Sequence, residues 1–455
     1  MKTFNLRLAA SIGCATLSIA TAFAQNPTGN AGNGVSILTF HGDNARLGWN
    51  NRETILRPDT VTPTNFGKLW EAPLDDLVHG SPLYVWGLDI GGKRQDVVFA
   101  ATNRNSVYAL SATNGKILWA SKEISPPLTD GQYGGGWRPD EKHGILSTPV
   151  IDAKAGAIYV CLARAAGLKQ IYQVWGLNIR TGKTLPGWPV TLNGSYHGAH
   201  FRPGQLIQRG ALLLQNDWVY VPFGGRGDIP PWRGWVMGVN TKNPSSQQRV
   251  FCTSTTTDGA GIWSAGGVSA APNGDLFIIT GNGDYDFPKG DNLAQSVVRL
   301  QADKTGLNFS RQSKDFYTPA NHLFLDEQDE DLGGATGIIL PDQPGTSTPH
   351  LLFTGGKDGC AYLLNRDNLG GIGGELLKKR YFCDPNATYH EGIRATPAYF
   401  DAGAQGRFLF VTGDNPGPDG NLGMVALRIA PETPGGPMRF SRVWTLPRQL
   451  IRPSS

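Results

Sequence analysis

The chain has 455 residues, 40% of them hydrophobic and 17% charged, with 60 Gly, 31 Pro and a formal net charge of +4. Gly and Pro make about a fifth of the chain without any G-X-Y period, which excludes a collagen, and 12 Trp, 13 Tyr and 19 Phe exclude a disordered chain. The charge is too mild, and Lys and Arg too scattered, for a nucleic-acid groove.

The first element is an address. Lys2 and Arg7 form a basic head, Leu8 to Ala20 is apolar or small, and Ala22-Phe23-Ala24 fits a small-x-small cleavage site. Residues 1–24 are predicted to be a signal peptide, with Gln25 as the mature start. A lipoprotein box ending at Cys14 competes, but the apolar run before it is very short. Residues 25–34 read as a flexible leader, and 35–455 as one domain. No later stretch reaches the ~18 apolar residues of a membrane span. The protein is therefore expected to be exported, to the periplasm or beyond, with no transmembrane segment.

A phrase then recurs along the chain: HGSPLYV at 79–85, ILSTPVID at 145–152, QRGALLL at 208–214, SAGGVSAAP at 264–272, GGATGIILP at 333–341 and IRATPAYFD at 393–401. Each is followed by two β-type runs, such as DVVFAAT at 96–102 and SVYALSA at 106–112, and often by a fourth ending in Trp, as in KILWA and SRVWT. Strong helix signals are missing, and the runs are bounded by Gly, Pro, Asn and Asp. Six units of four strands predict an all-β fold, a β-propeller of four-stranded antiparallel blades. Asn114-Gly115 supplies the positive-φ turn before the last strand of the first unit, and Trp119 is placed to bury against a neighbouring blade.

Four cysteines follow the leader, at 161, 252, 360 and 383. None are adjacent or in a C-x-x-C spacing. Cys360 and Cys383 share a unit and could bridge across a hairpin; otherwise all are buried thiols. His197 and His200 in YHGAH have no evident partner ligand and read as loop residues.

Ala109 to Trp119 resembles the pyrroloquinoline-quinone (PQQ) repeat of quinoprotein dehydrogenases, and Gly176 to Gly182 and Asn65 to Trp70 repeat parts of it. The order of TFHGDNARLGWN, STPVID, RGWVMG, GIWSAGG, TGNG and LLNRDN is similar to a secreted bacterial family of PQQ-like propellers. In the dehydrogenases of this type, the resemblance implies a site over the central channel. There a Ca²⁺ is held by Asn and Glu together with PQQ, an Asp is the base, a Lys or Arg contacts the quinone, and a Trp and a vicinal Cys pair sandwich its ring.

By that resemblance Asn282 in TGNG matches the Ca²⁺ ligand, Lys357 in GGKDGC the quinone contact, Asp331 the base and Trp263 the ring platform. Each also has a plainer reading: a Gly/Asn turn, a hairpin lysine, a solvated acidic run and a blade-packing tryptophan. Asp284, Asp286 and Asp291 add oxygens that could form a loop Ca²⁺ site by themselves. The departures are a second unit without the Glu, no adjacent Cys pair, and no C-x-x-C-H haem motif, so electrons would leave to an external acceptor. Two functions stand. One is PQQ- and Ca²⁺-dependent oxidation of an alcohol or sugar hydroxyl at a degenerate site. The other is a non-catalytic scaffold that binds a protein or polysaccharide.

Related enzymes have eight blades, so a ring short of one or two blades is expected. Residues 66–74, FGKLWEAPL, carry the signature of an outer, fourth strand whose own blade is missing. The expected result is a gap between the first and last blades.

Overall fold

A computed structural model describes residues 34–129, 142–167, 169–227, 230–383, 392–414 and 422–447; residues 1–24, expected to be a signal peptide, lie outside them. The chain is an all-β propeller; among the described residues it has six blades built on antiparallel strands, four of them four-stranded sheets and blades three and four extended by extra short strands. Blade one is Leu83–Ile90, Lys93–Thr102, Ser106–Ser111 and Ile117–Ser121. Blades two to six begin with the inner strands Val150–Asp152, Leu213–Gln215, Ser269–Ala270, Ile338–Ile339 and Ala398–Asp401. All six recurring phrases thus lead into inner strands. The middle stretches of the second and third strands are mostly apolar and buried, as at 97–101, 158–163 and 219–223, where consecutive blades pack face to face.

Five buried clusters join consecutive blades. Val97 and Val160 belong to the cluster between blades one and two, Tyr159 and Val221 to that between two and three, and Phe353 and Leu409 to that between five and six. Among the described residues no core cluster joins blade six to blade one. On that side of blade six Phe408 and Phe410 are half-buried and Trp444 is 41% exposed.

The centre of the ring is filled by the chain itself. Ile37 exchanges two backbone hydrogen bonds with Tyr84 of blade one, and Leu38 accepts from Ile151 of blade two. Asn44 donates from Nδ2 to Leu214 of blade three and accepts at its carbonyl from Ala270 of blade four. Ala45 then accepts from Ile339 of blade five, and Leu47 from Tyr399 of blade six. Eleven residues therefore touch every inner strand, and the inner edges that would otherwise face an empty channel are paired. Arg46 is fully buried within this hub and donates to the carbonyls of Phe40, Leu212 and Val268 and to Thr39 Oγ1. Burial lowers its pKa to about 10, against the pull of Asp43.

Three expectations are corrected. Residues 66–74 form no strand. Trp70 nevertheless donates from Nε1 to Ala112 O and covers Gly115, as Trp119 donates to Ile179 O and covers Gly182 one blade later. The tryptophan docking of an outer strand is kept, but among the described residues no strand pairs with this segment. The acidic run before Asp331 is not a solvated loop: it contains a short helix, His322–Glu327, where helix signals were thought missing, and then buries Glu330 and Asp331. Finally, all four cysteines are free and buried, so Cys360 and Cys383 are not bridged. Cys383 Sγ is directed at Lys357 O, and burial pushes its thiol pKa up to about 12.

Candidate functional site

In every blade the approach to the inner strand and the turn between second and third strands lie at the same end of the propeller. This topology makes distant residues neighbours. Asn282 lies in the turn after Leu276–Ile279 of blade four, and Lys357 in the equivalent turn after Leu351–Gly355 of blade five. Trp263 and Asp331 lie in the approaches to the inner strands of those blades.

The four converge. Asn282 N donates to Asp331 Oδ1 at 2.5 Å, and Lys357 Nζ donates to Asp331 Oδ2 at 3.1 Å. Asp329 closes the group, accepting from Lys357 Nζ at 2.9 Å and from Asn282 Nδ2 at 3.0 Å. Gly281 is packed against both Asp331 and Trp263: a Cβ there would collide with Asp331 Oδ1 and lie 2.9 Å from Trp263 Nε1. The loop that carries Asp331 is held from below by Gln295, whose Oε1 accepts from Leu332 N at 2.7 Å.

The electrostatics follow from burial. The side chains of Asp331 and Lys357 are 6% and 7% exposed. Burial raises the Asp331 pKa to about 6, and the Asp329 charge adds to this, while Lys357 and the Asn282 N–H hold it back. Burial acts to lower the Lys357 pKa, but the two aspartates outweigh it and leave the ammonium above its ordinary value. The result is a permanently charged lysine beside a carboxylate that can change protonation near neutrality, the arrangement expected of a proton acceptor.

Other oxygens do not gather here. Asp286 is held by Asn292, and Asp291 by Arg311 and His197, so the loop Ca²⁺ site expected from Asp284, Asp286 and Asp291 is not assembled. Among the described residues no group of three His, Cys, Asp or Glu side chains could cage a metal. Next to Asn282 a groove of about 560 Å³ is lined by Trp232, Thr256, Asp258, Asp284 and Asp326.

Two contributors were not anticipated. Arg209 places its guanidinium 4.8 Å from the Trp263 ring centroid and donates from Nε to Trp263 O at 2.8 Å. Arg394 takes the same place in blade six, with its stem beside Gly334 and Lys357. Aligning QRGALLL with IRATPAY would have shown that both arginines precede an inner strand.

The structure is similar to a quinohemoprotein alcohol dehydrogenase of Pseudomonas putida HK5, with TM-score 0.57 and 16% identity over 88% of this chain. It is similar to the quinohemoprotein alcohol dehydrogenase of Comamonas testosteroni at TM-score 0.55, 16% identity and 88% coverage. A europium-containing methanol dehydrogenase matches at TM-score 0.53 and 14% identity, over 90% of this chain and 78% of its own. The chain has the propeller fold of these enzymes. It spans 59% and 58% of the length of the first two. No family model and no curated protein matches the sequence.

Proposed function

We propose that the protein is an exported quinoprotein-type oxidoreductase acting on an alcohol or sugar hydroxyl, with Asp331 as the proton acceptor. The observation that carries this reading is the convergence of Trp263, Asn282, Asp331 and Lys357 from four separate loops of two blades. A buried lysine and aspartate cost desolvation free energy, which a purely structural contact between blades does not require.

The residues fit PQQ and Ca²⁺ as a shared site. Trp263 offers a flat face already taken by a planar cation, and Gly281 keeps the space beside it free of a side chain. Asn282 Oδ1 and Asp331 are hard oxygen donors, too few for the 6–8 oxygens of a closed Ca²⁺ cage, so the ion would share its shell with the quinone and water. Lys357 would contact the quinone. The bound quinone would supply the two-electron acceptor. Asp331 would hold the substrate hydroxyl and take its proton as the carbon is oxidised to a carbonyl, and Lys357 would keep Asp331 ionised until then. With no C-x-x-C-H motif in the chain, the electrons would pass to an external carrier.

The groove beside Asn282 favours a second reading, a non-catalytic propeller that binds a polysaccharide or protein, since its Thr and Asp lining can accept and donate to many hydroxyls. Reconstitution with PQQ and Ca²⁺, followed by the absorbance spectrum and dye-linked oxidation of alcohols and sugars, separates the two. Stoichiometric PQQ with turnover supports the oxidoreductase; polysaccharide binding without PQQ uptake supports the scaffold.

A further inference from the structure

We propose that Arg209 is a movable lid that clamps a flat, carboxylate-bearing aromatic ring against Trp263, covering the face that no vicinal cysteine pair covers in this chain. The inference rests on the quinoprotein reading and assigns a residue to the other side of the ring.

The two walls come from different blades. Arg209 precedes the inner strand of blade three, and Trp263 belongs to the approach to blade four. Their backbones are fixed to one another: Ala211 N donates to Ala265 O at 2.8 Å, and a Cβ on Gly210 would sit 3.1 Å from Ser264 O. The backbones that carry the lid and the platform are therefore held together, and Arg209 moves by its own side-chain torsions.

The guanidinium now lies on the indole face, where a planar ligand would stack. A guanidinium is flat and stacks on aromatic faces, so it marks that face as accessible and suited to a thin, electron-accepting partner. Arg209 is exposed, and its head is tethered by a single hydrogen bond from Nε. Lifting by about one ring thickness would let a ring enter and leave the guanidinium stacked on its outer face. A ring with carboxylates would compensate the charge of the Arg209 guanidinium that stacks on it. A neutral or cationic ring would meet that charge without such compensation.

The test is calorimetric titration of the purified chain with two probes, PQQ and naphthalene-2,6-dicarboxylate, which is flat and dianionic but carries no quinone. Wild type is compared with Arg209→Ala and Arg209→Lys, with thermal melts to confirm that each is folded. The expected result is binding of either probe by wild type and at least about fivefold weaker binding in both variants, because lysine keeps the charge but not the plane. Lysine binding as well as arginine would reduce the role to charge and overturn the clamp. Equal or tighter binding by Arg209→Ala would show that Arg209 merely fills an empty seat, and would also overturn it. If wild type takes the dicarboxylate but not PQQ, the quinoprotein reading fails while the Arg209 comparison still decides the clamp. Binding of neither probe overturns the clamp directly.

Discussion

Lys357 Nζ lies 3.1 Å from Asp331 Oδ2 in a place where each side chain is more than nine-tenths covered. Two opposite charges buried this deeply are set by each other, so changing either one reveals the state of its partner.

Asp331 should make stability depend on pH. Its folded pKa of about 6 lies above the ordinary 3.8, so folding favours the protonated form. Its stabilising contribution is complete below about pH 4 and is lost as pH rises through about 6, a loss on the order of 3 kcal/mol. In urea titrations without added Ca²⁺, Asp331→Asn is expected to gain on wild type between pH 4 and pH 7 by that order. A stability difference independent of pH would contradict the assignment. Turnover, if Asp331 is the base, should rise with the same apparent pKa.

Removing the cation exposes the opposite dependence. Lys357→Met leaves Asp331 and Asp329 facing each other without compensation, and is expected to destabilise the fold by about 3–5 kcal/mol at pH 7. The loss should shrink at pH 5, where Asp331 can take up a proton. Denaturant midpoints at the two pH values check this, and an equal loss at both would refute it.

Gly281 has no room for a side chain. Gly281→Ala should displace Asp331 or Trp263 and cost about 1–3 kcal/mol, as overpacking does elsewhere. It should also abolish ligand uptake measured by calorimetry. Unchanged uptake would show that the site lies away from this glycine.

Asn282→Ala tests the metal. Binding to the folded state raises stability by mass action. Wild type is expected to melt higher with millimolar Ca²⁺, and the variant to show no such rise while keeping its fold. The same Ca²⁺ response in both would remove Asn282 from the metal site.

Much of this architecture could be read from the residues, because blade repeats leave local marks. Gly115 follows Asn114 where a turn needs positive φ, and Trp119 falls where the next blade offers a backbone acceptor. Asn282, Lys357, Asp331 and Trp263 could be singled out by their motifs, but not the contacts among them, which depend on the folding of two blades. The hub was out of reach for a similar reason. Ile37 to Leu47 shows neither strand nor helix periodicity, since its partners are six different strands rather than one. Burial of Asp331 was hidden by its acidic neighbours: Glu327 and Asp329 are exposed and Asp326 is half-buried, which makes the whole run look solvated, while Glu330 and Asp331 are buried.

Arg46 has a consequence for how the molecule comes apart. Blades that touch only their neighbours are expected to unravel one at a time from an open end, like other repeat arrays. Here a single short stretch is bonded to all six, so loosening blade six frees Leu47, and disorder can pass inward along the stretch to blades that blade six never meets. Blades tied to one hub in this way should melt as one unit. Replacing Arg46 with Met should uncouple it, splitting one calorimetric transition into at least two; a single sharp transition in the variant would mean that the spokes, and not the axle, set the cooperativity.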